Sequence, residues 1–318
     1  MSRRKLSLRK VLESHLGYLL FRLWAAWVKR LSIGSLTSYG EKLGTLTLYL
    51  LKKRRKTALN NLTLALGREK SKKEIEQICR GSFKNIGMDI MEISRGLDFE
   101  DGYLKKMATF DGREHLDHAL KGGKGVIALT AHLGNFPLMS FRLVNEGYPL
   151  SLIARDPENP KVAKMITSFR DDAGIESIPD KPRRACVSKC LEALERNRIL
   201  FLQIDQNAPV TECWVDFFGY LVPTFKGPVV FSIRKGAPIL PMFIIRNPDA
   251  HHKIIIHPAF ELTTTGNTQE DITSNIARLT KIVEAVIREH PDQWWWVHRR
   301  FKRARDIRTG ESLFPKHS

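Results

Sequence analysis

In Thr130-Ala-His132-Leu-Gly-Asn135 an imidazole follows directly on a short apolar run, Gly125-Val-Ile-Ala-Leu-Thr-Ala131. A histidine where a buried strand opens to a crevice can act as a general base, because its protonation changes near neutral pH. Gly134 allows backbone or substrate to come close, and Asn135 is placed to cap a following helix. The first N–H groups of such a helix suit a phosphate or an oxyanion. On position alone, a hydrogen-bonded strand-end histidine competes evenly with a catalytic one.

The surrounding pattern supplies the elements that would hold this turn. Gly125–Ala131 reads as a strand buried on both faces, entered from a Gly-Gly turn. A helix is expected from Phe136 to Asn145, a strand from Tyr148 to Ala154, and a helix from Pro160 to Ala173 with Gly174 at its C-cap. The alternation continues with a helix over 181–197, a strand over 199–205 and a helix over 227–235. Strands over 239–246 and 253–260 and an amphipathic helix over 271–289 complete it. Residues 1 to about 120 read helical, with Ile75, Ile78, Phe83, Ile86, Ile90 and Ile93 at helical spacing. This predicts an α/β fold, a mainly parallel sheet with helices on both faces, preceded by a helical membrane-associated N-terminal region. The expected division is an anchoring region over 1–55 and a catalytic domain over 56–318. Sites in such sheets lie beyond the carboxyl ends of the strands, which selects the loops after Ala131, Ala154 and Ile204.

The 318-residue chain is 42% hydrophobic, which excludes a mostly disordered protein. Its formal charge of +18 calls for an anionic partner: nucleic acid, anionic lipid or an acidic carrier protein. Neither an RNA-binding aromatic signature nor a helix-turn-helix is present, so nucleic acid is not expected. Cys79, Cys186, Cys190 and Cys213 form no CxxC pair, which points to no metal site, no disulfide framework and a reducing compartment. Basic Met1–Lys10 precedes the apolar and aromatic stretch Leu16–Val28, which is short for a span and interrupted by Arg22. A second apolar stretch, Leu43–Leu51, runs into Lys52-Lys-Arg-Arg-Lys56. Basic clusters beside Trp-rich apolar segments fit an interfacial anchor on an anionic leaflet. The competing reading is an amphipathic helix packed on the domain.

Taken with other stretches, Thr130-Ala-His132-Leu-Gly-Asn135 resembles the signature of the bacterial lipid A biosynthesis acyltransferases, the lauroyl and myristoyl transferase family. Arg54-Arg-Lys-Thr-Ala-Leu-Asn60-Asn61, Arg155-Asp-Pro-Glu-Asn-Pro160, Arg170 with Gly174, Asp205-Gln-Asn207, Asp216-Phe-Phe-Gly219, Thr224-Phe-Lys-Gly227 and Pro291-Asp-Gln-Trp-Trp-Trp-Val-His298-Arg-Arg-Phe-Lys302 match in order. The resemblance implies that His132 deprotonates a hydroxyl of a glycolipid acceptor, a lipid A precursor. That hydroxyl attacks a thioester of acyl carrier protein, or of coenzyme A. No cofactor and no metal are implied, and the site would face the cytoplasm at the bacterial inner membrane. Backbone N–H groups at the Asn135 turn, or Arg170, would meet the developing oxyanion.

One position departs from the family pattern, in which an acid follows the histidine after four residues; here it is Pro137. Proline is tolerated in a first helical turn, yet it cannot orient an imidazole. Asp205, at the end of another strand, is the expected substitute, with a turn-capping role as its alternative. Glu146 and Glu176 are weaker, since neither ends a strand. Arg155, Arg170, Lys226, Arg299 and Arg300 are expected to bind phosphates of the acceptor or an acidic carrier. Trp294–Trp296 are expected at the membrane interface, with a core role as the alternative. Two other functions compete: acylation of a different lipid, a lysophospholipid or glycosylated phosphatidylinositol, and non-catalytic binding to an anionic membrane.

Overall fold

A computed structural model describes residues 17–314 except 18, 21, 22, 97–101 and 156–159. The basic stretch Met1–Lys10, Arg22 and most of the loop after Arg155 lie outside the described residues.

Seven strands form the main sheet: β1 (Ala108–Asp111), β2 (Val126–Thr130), β3 (Leu150–Ala154), β4 (Ile175–Pro179), β5 (Ile199–Gln203), β8 (Ile239–Arg246) and β9 (His252–Ile256). Their order is β1-β9-β8-β2-β5-β3-β4, and every neighbouring pair is parallel except β8–β9. β2 and β8 are buried along their whole length, which is why they read as unbroken apolar runs rather than alternating ones. Ile127 and Leu129 face a core shared with the helices Arg183–Glu195, Gly227–Lys235 and Thr268–Glu289. Val126 and Ala128 face the opposite core with the helices Arg113–Lys121 and Phe136–Asn145. The sheet is therefore α/β and mainly parallel, as the alternation predicts.

The first 120 residues are not all helical. β1 pairs with β9 from Ala108↔His252 to Asp111↔Ile255, a partnership more than 140 positions away that its four residues do not announce. A second, three-stranded antiparallel sheet also escapes the periodicity: β6 (Cys213–Phe217), β7 (Tyr220–Thr224) and β10 (Arg305–Asp306). Phe218 and Gly219 join β6 to β7 with φ of 54° and 79°, the twist a two-residue hairpin needs. Glu284 accepts the Phe218 N–H at 2.9 Å and Asp216 the Gly219 N–H at 2.8 Å, holding phenylalanine in that unfavourable region.

The helix Ile33–Leu50 packs along Lys72–Gly96 through Gly40, Gly44 and Gly87. A Cβ on Gly44 would stand 2.2 Å from the Phe83 carbonyl, so only glycine permits that approach. Leu36, Gly40, Gly44 and Leu48 form its buried stripe, whereas Tyr39, Leu46, Tyr49 and Leu50 are exposed. No helix among the described residues is long and apolar enough to cross a membrane.

Candidate active site

β2 and β5 are parallel neighbours, with Thr130 opposite Gln203. His132 and Asp205 each stand two residues beyond that pair, so the strand register alone brings them level. Asp205 accepts the His132 backbone N–H at 2.7 Å, contacts His132 Nδ1 at 2.9 Å and accepts the Trp294 indole N–H at 2.7 Å. The carboxylate is 2% exposed. Burial pushes its pKa up, but the His132 ring and these hydrogen bonds outweigh burial and hold it at about 2. An ionised Asp205 can only accept, which makes Nδ1 the protonated nitrogen and leaves the Nε2 lone pair to take a proton. Phe136 and Trp295 flank the imidazole, with ring centroids at 4.8 and 6.1 Å.

The turn beyond the histidine is tightly specified. Gly134 has φ +55°, and a Cβ there would meet the Ile244 carbonyl at 2.1 Å. Asn135 Oδ1 caps the next helix by accepting the Leu138 N–H at 3.1 Å. Its amide nitrogen donates to Glu92 at 2.8 Å, and the residue is fully buried. Asn135 therefore holds the turn and has no face toward a substrate. Three N–H groups around the turn are committed: Gly134 donates to the Gln293 backbone carbonyl, Phe136 to Gly134 and Met139 to Asn135. With Pro137 lacking a donor, these backbone groups are not free for an oxyanion.

The C-terminal segment closes the site from the other side. Trp294 bridges to Leu133, and the Trp295 N–H donates to the His132 carbonyl at 3.0 Å. Trp294 and Trp296 are buried, so they belong to the core rather than to a membrane interface; Trp295 is half-buried beside His132. His298 also lies near the pair, and burial followed by the neighbouring His132 pushes its pKa down to about 4.

The basic candidates separate. Arg300 is fully buried, with Nη1 on the carbonyls of Gln206 (2.8 Å) and Pro223 (2.6 Å) and Nη2 on Thr224 Oγ1 (2.6 Å). It braces the loop after Asp205 and has no exposed group to offer a phosphate or a carrier, which corrects the substrate-binding role expected of it. Arg299 beside it is exposed. Arg155, past the end of β3, is exposed and pairs with Asp180 at 2.9 Å. Arg170 is half-buried near the end of the helix Pro160–Asp172, and Lys226 half-buried at the start of Gly227–Lys235. Glu146 pairs with Arg142 and Arg113, and Glu176 with Arg196 and Arg198; neither is bonded to His132. Among the described residues no group of three or more His, Cys, Asp or Glu is arranged to hold a metal ion. An apolar cleft of about 430 Å³ lies beside β8, lined by Phe243, Ile245, Ile255, Phe260, Ile282 and Val286, and His132 does not line it.

Two contributors were hidden from the sequence: Trp294 as the third donor to Asp205, and Glu92 beneath Asn135. The only local signal for Glu92 is an acid, with Asp89 one turn before it, on the apolar face of the helix Lys72–Gly96.

An imidazole oriented by a buried carboxylate, at the carboxyl edge of a parallel sheet, is the equipment of a transferase or hydrolase that activates a hydroxyl. The comparison with known families narrows the class. Residues 3–303 match the bacterial lipid A biosynthesis acyltransferase model, and the chain belongs to that family. It is an acyltransferase. It is 26% identical over 283 residues to the lipid A biosynthesis palmitoleoyltransferase of Escherichia coli K12, covering 88% of each chain. Identity to the lipid A biosynthesis lauroyltransferase of the same organism is 24% over 292 residues, 88% of this chain and 92% of that one. It is also 25% identical to a phosphatidylinositol mannoside acyltransferase of Mycolicibacterium smegmatis over 220 residues, 69% of this chain and 70% of that one.

Proposed function

We propose that this chain transfers a fatty acyl group from an acyl carrier protein thioester to a hydroxyl of a lipid A precursor, with His132 as general base. The observation that carries the reading is the contact between His132 Nδ1 and buried Asp205. Nε2 takes the acceptor hydroxyl proton as the oxygen attacks the thioester carbonyl, forming the C–O bond and a tetrahedral oxyanion. The intermediate collapses, the C–S bond breaks, and the imidazolium returns its proton to the departing thiolate. Asp205 remains ionised, fixes the tautomer and steadies the imidazolium. The backbone N–H of Asn135 and the Arg170 guanidinium remain the two expected oxyanion donors. Arg155, Lys226 and Arg299 serve the phosphates of the acceptor or an acidic carrier.

The protein would work on the anionic cytoplasmic leaflet of the inner membrane. Trp27, Tyr39, Leu46, Tyr49, Leu50 and Leu51 are exposed next to Lys52-Lys-Arg-Arg-Lys56, an apolar face bordered by cations. Lys42 lies over the Tyr39 ring at 5.4 Å, keeping a cation at the level of that face. The anchor is then an in-plane helix packed on the domain.

Pro137 favours a second reading. An acid supplied from beyond another strand departs from the pattern expected of lipid A enzymes and leaves a glycosylated phosphatidylinositol or a lysophospholipid as acceptor. Mass spectrometry of lipids from cells with and without the gene decides between them: a hexose-phosphatidylinositol gaining one acyl chain supports the second reading, an acylated glucosamine disaccharide the first.

A further inference from the structure

Beneath the catalytic turn lies a buried ionic cluster that the proposed chemistry does not use. Asp89, Glu92, Arg246 and His252 are all under 9% exposed. Arg246 donates to Glu92 through Nη1 and Nη2 and to Asp89 at 2.5 Å, and its Nε donates to Asn85 at 3.1 Å. Such clusters contribute little net stability, because desolvation offsets attraction, so their retention calls for another reason. Burial pushes Asp89 up. Burial pushes Glu92 up as well, but the His252 hydrogen bond and the Arg246 charge outweigh it and keep Glu92 ionised.

Two connections run from this cluster to His132. Glu92 Oε2 accepts from Asn135 Nδ2 at 2.8 Å, beside His252 Nε2 at 2.9 Å. An anion can only accept, so Glu92 dictates which end of the Asn135 amide faces it and turns Oδ1 onto the Leu138 N–H. The second connection is Gln293, whose amide exchanges hydrogen bonds with the Arg246 backbone at 2.8 and 2.9 Å. The Gln293 backbone carbonyl receives the Gly134 N–H at 2.9 Å. Both connections end on the Glu92–Arg246 pair, and the turn between His132 and its helix is held between them.

We propose that Glu92 is a positioning residue for acyl transfer: through Asn135, and through Arg246 and Gln293, it fixes where the His132 turn stands, while Asp205 fixes how the ring points. This role rests on the reading of His132 as base.

The test uses the full-length protein in detergent micelles with lauroyl–acyl carrier protein and a tetra-acylated, bisphosphorylated glucosamine disaccharide. Two acceptor-independent measurements accompany turnover: the melting temperature, and the low-field Nδ1 proton resonance of His132. Glu92→Gln should melt as a folded protein, lose about 100-fold in kcat with KM within about two-fold, and shift or broaden the resonance. Combining Glu92→Gln with Asn135→Asp exchanges donor for acceptor across the same contact and should restore at least a tenth of wild-type kcat. Should Glu92→Gln fail to fold, Glu92→Asp keeps the charge but withdraws it by one methylene, and should still lower kcat with KM unchanged. Wild-type kcat and an unchanged resonance in either folded variant overturn the proposal, as does a double variant no faster than Glu92→Gln. If the wild-type protein shows no turnover with these probes, the acceptor reading falls, and the resonance still decides the role of Glu92.

Discussion

Asp205→Asn is nearly isosteric and tests the pairing at its most sensitive atom. The asparagine carbonyl can keep the position that accepts from the His132 N–H and from Trp294, both at 2.7 Å. Its NH2 group then faces Nδ1, 2.9 Å away, and two donors cannot share that contact. The imidazole moves its proton to Nε2, which can no longer accept one from the acceptor hydroxyl. The same tautomer error in a serine-protease triad costs about 10⁴-fold in kcat. Here about 10³ to 10⁴-fold is expected, equivalent to roughly 4–5.5 kcal/mol in the transition state. KM should hold within about three-fold, because a residue 2% exposed does not touch the substrate. The assay is steady-state transfer by purified enzyme, with nitrogen NMR of labelled histidine reporting the tautomer. A kcat within ten-fold of wild type in a folded Asp205→Asn protein refutes the orienting role.

Arg300→Met should lower stability by about 3–5 kcal/mol, read as a large fall in melting temperature, because the carbonyls of Gln206 and Pro223 lose their donor in a buried site. An unchanged melting temperature contradicts its bracing role. The depressed carboxyl of Asp205 contributes stability that is complete above about pH 4 and is lost as pH falls through about 2, because the folded state holds it below its unfolded value. The loss is on the order of 2 kcal/mol, visible in urea unfolding against pH, and Asp205→Asn should lack that slope. Replacing Leu46 and Leu50 together by Glu removes two exposed leucines from the apolar face and should weaken binding to anionic vesicles by about 100-fold. Unaltered vesicle sedimentation would place membrane contact elsewhere.

The fold was legible where burial was continuous. β2, β5 and β8 read as apolar runs, and Gly147, Gly174 and Gly236 mark helix ends. β1, β4 and the β6–β7 hairpin were not legible. They are four or five residues long, and β1 becomes a strand only by pairing with β9, far along the chain, rather than by local pattern. The site divides in the same way. His132 is visible from its place after a buried run, whereas its contact with Asp205 depends on β2 and β5 being neighbours, which no local pattern encodes. A sequence shows that Arg300 is basic, but not that three oxygens, one from the loop after Asp205 and two from β7, wait for it in the core. The tryptophans illustrate the same limit: Trp294, Trp295 and Trp296 are adjacent, yet two are core and one borders the imidazole.

Removal of the acceptor proton by His132 can be read in a single turnover: transfer from radiolabelled acyl carrier protein thioester in membranes holding equal amounts of folded wild-type protein and His132→Ala. Acylated lipid is expected from the wild type and a loss of at least about 10³-fold in the variant, the scale of an absent general base. Product formed at a near-normal rate by folded His132→Ala would contradict it.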